Sequence, residues 1–500
     1  MKFFIKQNIA LYVICMYSMV ACTDFIDREP FSDISSADFY TTEANIDLAA
    51  VGMYGRLRIY YQNYVTFAEL PSDNAQTPSA GSDNLGQFDK FSMVALNTML
   101  SNNWNQSYNG ILQANKVLLS LPNITFNSNE KKDQIEGEAR FIRALNYFNL
   151  VRIYGKVPVV VTVIDQNEAR KLTRNEEEDV YKLIVDDLKA AATLLPPSYT
   201  ANSIGRATRW AALSLLGKVY VTRSEFNEAL VPLKEVVEQG PYSLLPDFAD
   251  IFLPSNANHK ESVFEIQYEG GTLEMGSSWG FAAHPRVLAN VMGISTADAT
   301  VPTSDIIQTF ESASKANESS SPRYLATIGT MQYTSNGNTL SAKHVKKHYM
   351  EHTVQNQSDD NWPLIRFADV MLMYAEALNE TSSVPPSQAI ELVNKIRRRA
   401  FGFAIEGGNN TRDLTSDKTA SQSAFRDAIM LERRLELAFE GHRWFDLIRT
   451  GKYVEVMNNH FNTYFNGLYK VETYHRLFPV PQREIDINPL LKPNNEGYNN

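Results

Sequence analysis

The chain has 500 residues, 44% hydrophobic and 21% charged, which is enough material for a sizeable buried core and is the ordinary balance of a soluble globular protein. Acidic side chains (57) outnumber basic ones (47) for a formal charge of −10, with no basic stripe. That balance argues against nucleic acid or an anionic membrane surface as the partner.

The first segment, MKFFIKQNIALYVICMYSMVAC, sets Lys2 and Lys6 ahead of an apolar run from Ile9 to Ala21 that is short for a bilayer span. Residues 1–21 therefore read as a signal peptide. SMVAC, with Cys22 directly after Val20 and Ala21, resembles the bacterial lipobox, whose cysteine is lipidated; the alternative is an ordinary secretory signal with an incidental cysteine. Cys15 leaves with the signal, so Cys22 is the one cysteine of the processed chain and no internal disulfide can form. Each buried methylene of an acyl chain contributes about 0.8 kcal/mol, so several chains on Cys22 make a stable anchor. Asp24, Asp27 and Glu29 follow in the tether 22–40, and such early acidic residues resemble surface-export signals of Bacteroides-type lipoproteins.

From residue 41 to 500 the pattern predicts a single domain. Thr42 caps a helix with apolar positions at Ile46, Ala49, Ala50 and Met53. Residues 62–103 lose the helical period and read as long loops. Helical pairs return at WNQSYNGILQANKVLLSLP with EKKDQIEGEARFIRALNYFNLVRIYG, at EEEDVYKLIVDDLKAAATLLP with RATRWAALSLLGKVYVTRSE, and in NEALVPLKEVVEQG from Phe226. A further pair is WPLIRFADVMLMYAEALNE with SQAIELVNKIRRRA. Between 245 and 360 the helical reading weakens: ESVFEIQYEGG suggests a strand and LEMGSSWGFAAHPR a loop. The fold class is thus mainly α, with the helical scaffold in 104–240 and 362–452. The pairs resemble tetratricopeptide-like units that stack into a superhelix, while 62–103 and 245–360 form a large irregular insertion with a few short strands.

Several segments together resemble the SusD/RagB family of nutrient-binding lipoproteins. They are YNGILQANKVL, GRATRWAALSLLGKVYVTRSEFNEAL with GPYSLLPDFADIF, LIRFADVMLMYAEALNE, and LERRLELAFEGHRWFDLIRTGK followed by LFPVPQREIDINPLL. The tail departs from the family's usual ending, closing on KPNNEGY. The resemblance implies a non-enzymatic, lipid-anchored protein of a Bacteroides-type outer membrane. Such a protein captures glycan oligosaccharides and hands them to a SusC-like TonB-dependent transporter. RagB-like capture of peptides or another polymer is the alternative, followed by a helical scaffold without a small ligand.

A sugar-binding surface needs aromatic faces flanked by side chains that bond hydroxyls. LPSDNAQTPSAGSDNLGQFDKF offers Asp73, Asn74, Gln76, Phe88 and Phe91, just ahead of Trp104, and the later loop offers Tyr268, Trp279 and Phe281. Trp279, in a Gly/Ser context without helical partners, is expected at the ligand; Trp104 fits a packing role as well as a binding one. Trp210, Trp362 and Trp444 sit at or within periodic helices and read as core.

His344, His348 and His352 are four apart and would share one face of a helix or of a strand, but without a carboxylate pattern they read as surface residues. Asp359 and Asp360 form no EF-hand loop. No metal, cofactor or catalytic residue is expected. Walker and dinucleotide motifs are missing from the sequence and no nucleophile elbow is expected, although 57 acidic residues leave too many carboxylate pairs for spacing to decide against a glycosidase. In 431–452, Glu432, Glu436, Glu440, His442, Asp446 and four arginines look like catalytic material. The apolar stripe between them makes a structural ion-pair network the expectation.

Overall fold

Side-chain caps set where the helices begin. Thr42, Asn97, Ser128, Thr208 and Ser421 each accept a hydrogen bond from a backbone N–H of the first turn, at 2.9 to 3.2 Å. The computed structural model describes residues 39–292, 299–312, 321–347, 354, 356–408 and 411–498. The expected signal peptide, Cys22, most of the tether, His348 and His352 lie outside the described residues.

In chain order the scaffold helices are α1 (Glu43–Tyr61), α2 (Thr98–Ser120), α3 (Asn129–Tyr154), the one-turn α4 (Gln166–Ala169), α5 (Glu177–Leu194), α6 (Arg209–Thr222) and α7 (Phe226–Gln239). The short α8 (Trp279–Ala283) lies in the insertion. After it come α9 (Phe367–Glu380), α10 (Ser387–Ala400), α11 (Gln422–Glu436), α12 (Arg443–Arg449), α13 (Tyr453–Phe465) and α14 (Gln482–Ile487). The expected fold class holds: the chain is mainly helical, with few and short strands.

Neighbouring helices run antiparallel. Trp104 of α2 meets Tyr154 of α3 while Asn115 meets Arg143, and Arg143 in turn pairs with Asp187 of α5. Small residues permit the close crossings: a Cβ on Gly217 would stand 2.4 Å from Leu233, so α6 and α7 touch backbone to side chain there.

The strands form two-stranded antiparallel sheets. β1 (Ala75–Gln76) pairs with β3 (Val301–Pro302), β2 (Ser262–Ile266) with β6 (Trp362–Arg366), and β4 (Ile328–Ser335) with β5 (Asn338–Val345). ESVFEIQYEGG does supply a strand. WPLIRFADVMLMYAEALNE, by contrast, is not one helix: its first five residues are β6, buried on both faces, and the helix starts at Phe367. A continuous apolar run cannot be assigned from periodicity alone, and pairing with β2 decided it. His344 sits in β5, with its ring stacked on His284 at 4.9 Å, so it is buried and not a surface residue.

The segment expected as surface loops after residue 62 is also different. Leu70 to Ala75 is buried throughout. Its polar groups are satisfied by distant ones: Asp73 takes two bonds from Arg443 (2.8 and 2.9 Å), and Asn74 Oδ1 accepts from Arg434 Nε (2.9 Å). Thr303 Oγ1 donates to the carbonyl of Asp73 at 2.6 Å. Buried irregular backbone is tolerated because its partners arrive from elsewhere.

The charges of 431–452 are distributed into buried ion-pair clusters. Glu436 bonds Arg399 (2.7 Å) and Arg366 (3.1 Å) and lies 3.4 Å from Arg323. Glu261 bonds Arg366 (2.6 Å) and Arg399 (2.9 Å), while Glu440 bonds Arg366 (2.6 Å) and Lys347 (2.7 Å). Phe248 and Phe252 cover these cations, with ring centroids 5.1 and 5.0 Å from Lys347 Nζ. Burial alone would raise the Glu440 carboxyl, but Arg366 and Lys347 outweigh it and hold it down at about 2. Arg433, Asp369, Lys218, Asp446, Arg449 and Glu376 make a second cluster. Asp446 bonds Arg433 and Arg449, whereas its neighbour Arg443 turns to Asp73.

Breaking one partner of a buried pair leaves an uncompensated charge, at a cost of about 3–5 kcal/mol. Glu436→Gln is therefore expected to lower the urea midpoint by that equivalent. A midpoint equal to wild type would mean that these guanidinium groups do not depend on Glu436.

Candidate functional site

The stripe Trp104, Tyr108, Ile111 and Asn115 recurs along one face of α2, which should bury it against a neighbour. Part of that face is left uncovered and becomes one wall of a hollow of about 460 Å³. The opposite walls are the extended segment from Pro158 to Ile164, the α4 turn, and the chain from Glu484 in α14 to Leu491.

Side-chain hydrogen bonds to backbone hold these walls in place. Tyr108 Oη donates to the Pro158 carbonyl (2.8 Å), and Asn115 Nδ2 donates to those of Val160 (2.9 Å) and Thr162 (3.1 Å). Asn488 Nδ2 donates to the Leu172 carbonyl at 2.8 Å, tying the C-terminal segment to the end of α4. Asp165 closes a capping box with Glu168, which fixes where α4 starts. The Trp104 ring is 5.1 Å from Tyr154, edge to face, and 5.2 Å from Tyr108.

Four polar side chains also border the hollow: Asn105, Gln166, Arg170 and Glu484. None makes a side-chain hydrogen bond or ion pair with another described residue. Burial pushes the half-buried Glu484 carboxyl up, with Arg483 opposing. An aromatic and aliphatic wall bearing uncommitted amide, guanidinium and carboxyl groups suits a ligand with apolar C–H faces and many hydroxyls.

Of the side chains singled out from the sequence, Trp104 borders this hollow, and it is 4% exposed. The expectation of an exposed Trp279 does not hold. Its side chain is 3% exposed, with the ring 4.3 Å from Trp362 and edge-on to Tyr268 at 6.2 Å. The Gly/Ser context of Trp279 gave no hint of this because Trp362 is remote in sequence. Tyr268 is buried as well, with its hydroxyl donating to the Arg58 carbonyl at 2.9 Å.

Phe88 is wedged between Phe67 (4.9 Å) and Phe478 (5.3 Å). Asp73 and Asn74 are committed to Arg443 and Arg434. Phe281 falls in α8, and its side chain is outside what is described. Trp210, Trp362 and Trp444 are buried, as core tryptophans should be. Tyr108, Glu484 and Asn488 were not anticipated. The α2 stripe was a signal for Tyr108, whereas nothing local marks Glu484 or Asn488.

Removing a buried tryptophan ring costs about 3–5 kcal/mol. Trp279→Ala should accordingly lower the thermal midpoint by several degrees, read by circular dichroism. An unchanged melt would place the ring in solvent.

Two family models match the chain: one described as the SusD family, over residues 308–498, and one described as starch-binding associating with outer membrane, over 24–221. SusD-like protein P25 of Formosa agariphila is 27% identical, covering 98% of this chain and 99% of its own. Among solved structures, a SusD homolog from Bacteroides thetaiotaomicron superposes with a TM-score of 0.79 at 23% identity, covering 93% of this chain and 99% of that one. Surface glycan-binding protein A from Bacteroides fluxus gives 0.77 at 21%, covering 92% and 100%. Two models that between them span both ends of the chain, relatives aligned over nearly its whole length, and a shared fold agree: the chain is similar to the SusD-like family along nearly all of its length.

Proposed function

We propose that this protein is a surface glycan-binding lipoprotein that captures oligosaccharides at the Trp104 hollow and delivers them to a SusC-like TonB-dependent transporter. The observation that carries the reading is the hollow itself. Trp104 and Tyr108 present an aromatic wall, and Asn105, Gln166, Arg170 and Glu484 keep their hydrogen-bonding groups uncommitted. A volume of about 460 Å³ accommodates one or two sugar rings. Support for carbohydrate as the ligand comes from the starch-binding description of the matched family and from the surface glycan-binding neighbour. The same description, associating with outer membrane, supports the location.

Trp104 is mostly buried, so its replacement would mix binding with stability. The half-exposed polar groups separate the two. Asn105→Ala and Glu484→Gln are expected to reduce retardation in polysaccharide affinity gels severalfold while leaving the thermal melt within a degree or so of wild type. Retardation equal to wild type in both variants would move the glycan away from this hollow, and steady release of reducing ends by the purified protein would overturn the binding reading in favour of hydrolysis.

The anchor is tested separately. Cys22→Ala should shift the protein from the membrane fraction to the soluble one, because the acyl chains carry the membrane affinity. Full membrane retention of that variant would remove the lipid from Cys22.

A further inference from the structure

A second hollow, of about 290 Å³, opens where the C-terminal end of α3 meets the start of α5, the end of α6, α12 and the segment at Arg476. Four arginines line it: Arg152, Arg223, Arg449 and Arg476. Three of them have a carboxylate partner, Arg476 through Nη2 alone. Arg223 bonds Glu225 (2.7 Å) and Glu178 (2.8 Å), Arg449 bonds Glu376 (2.5 Å) and Asp446 (2.7 Å), and Arg476 bonds Glu177 (3.1 Å).

Arg152 differs. It has no carboxylate partner among the described residues. Its guanidinium carbon sits 4.0 Å from the Phe148 ring centroid and 4.1 Å from that of Phe445, so the plane is clamped between two rings. Nε donates to the Phe148 carbonyl (3.2 Å), and Nη2 donates to Asn149 Oδ1 (2.7 Å) and Tyr64 Oη (3.0 Å). Both hydrogens of Nη1 remain without a described acceptor. A preorganised cation of this kind loses little freedom when it binds, and an anion brought to it offsets the cost of keeping the charge out of water.

Tyr181, in the same lining, leaves its hydroxyl without a described partner. Burial pushes that hydroxyl up to about 12, so it stays a donor at neutral pH. Thr222 Oγ1 donates to the Lys218 carbonyl (2.7 Å) and so can only accept from a ligand, and Val151, Ile448 and Leu477 form apolar wall.

We infer that this recess takes the carboxylate of a uronic acid residue, with Arg152 and Arg476 at the charge, so that the captured glycan is an otherwise neutral chain bearing acidic sugar branches. The inference rests on the glycan-binding reading and narrows its ligand class. The recess is too large for a bare anion, and its Tyr181 hydroxyl and aliphatic wall match the ring of a sugar acid. The formal charge of −10 opposes a dense polyanion at long range, which favours isolated carboxylates over a polyuronate. Both hollows adjoin one turn: Gly155 lies against Glu177 and Leu477 of the second, and Pro158 opens the first.

The test is calorimetry of the purified protein with a glucuronosyl-xylobiose trisaccharide and with its carboxyl-reduced form. The acidic form is expected to bind about tenfold more tightly, the worth of one charge-assisted hydrogen-bond pair. Arg152→Gln should abolish that preference. Because Arg152 also supports the core, Arg476→Gln, whose side chain is half exposed, and Tyr181→Phe serve as variants that keep the fold; each should cut the preference severalfold with an unchanged melt. Equal affinity for the two forms, or a preference untouched by Arg152→Gln and Arg476→Gln, overturns the inference. Inorganic sulfate or an acidic tripeptide binding as tightly as the trisaccharide overturns it as well. If the acidic preference is missing while neutral polysaccharides are still retarded, the uronate inference alone fails; if no glycan of either kind binds, the glycan reading fails with it.

Discussion

Keeping Arg323, Arg366, Arg399 and Lys347 out of water is the constraint on which the rest of this fold depends. Each side chain is essentially inaccessible, and each is matched by Glu261, Glu432, Glu436 or Glu440. The partners come from the insertion, from one end of the β2–β6 pair, where Glu261 precedes Ser262 opposite Arg366, from α10 and α11, and from the turn after α11. No subset of these segments can be buried alone without stranding a charge, so the insertion and the helical scaffold must close together. The gain is in uniqueness of arrangement more than in net stability. Well-packed apolar residues could fill the same space, but they would not dictate which guanidinium meets which carboxylate.

That closure also sets the turn after α11. Gly441 has φ +77°, and a Cβ there would come within 2.6 Å of the Tyr64 ring. The turn delivers Gly441 and His442 to Glu69, which accepts from their N–H groups at 2.8 and 3.3 Å. Burial pushes Glu69 up to about 7 even so, outweighing its N–H partners, Asn74 and the more distant Lys347. His442, held beside Lys218, is driven down to about 3 by burial and stays neutral. What looked in the sequence like acid and base in one active site is His442 kept neutral beside Glu436, Glu440 and Asp446 kept charged, wrapped in ion pairs that face inward.

The helices were legible because caps and periodicity are local. Thr42, Thr208 and Ser421 stand where the helical pattern begins, and each caps. The errors have one physical origin. Trp279 looked free because nothing near it in sequence demands packing, Leu70 to Ala75 looked like loop because it is polar and aperiodic, and Trp362–Arg366 looked like the first turn of a helix. Each is decided by a partner far along the chain: Trp362 for Trp279, Arg434 and Arg443 for Asn74 and Asp73, β2 for β6. The candidate site was half visible for the same reason. The α2 stripe announces Trp104, but the segments from Pro158 and Glu484 that complete the hollow carry no local mark.

Aromatic content is therefore a poor guide to the ligand in this chain, since Trp210, Trp279, Trp362 and Trp444 are spent on packing and Trp104 alone of the tryptophans also borders the hollow. A better guide is the commitment of polar groups. Glu69 shows how far the interior goes to satisfy a buried carboxylate that bonds no cation among the described residues, recruiting two backbone N–H groups and Asn74. Against that standard, Asn105, Gln166, Arg170 and Glu484 around one hollow, and Arg152 Nη1 with the Tyr181 hydroxyl in the next, stand out by having no bonding partner among the described residues. Such groups can stay solvated while a hollow is open, but a ligand that expels the water must bond them in turn or leave them stranded at a cost of about 1–3 kcal/mol each. In the proposed glycan reading, selectivity follows from that penalty: the glycans retained are those whose hydroxyls and carboxylates meet these few uncommitted groups.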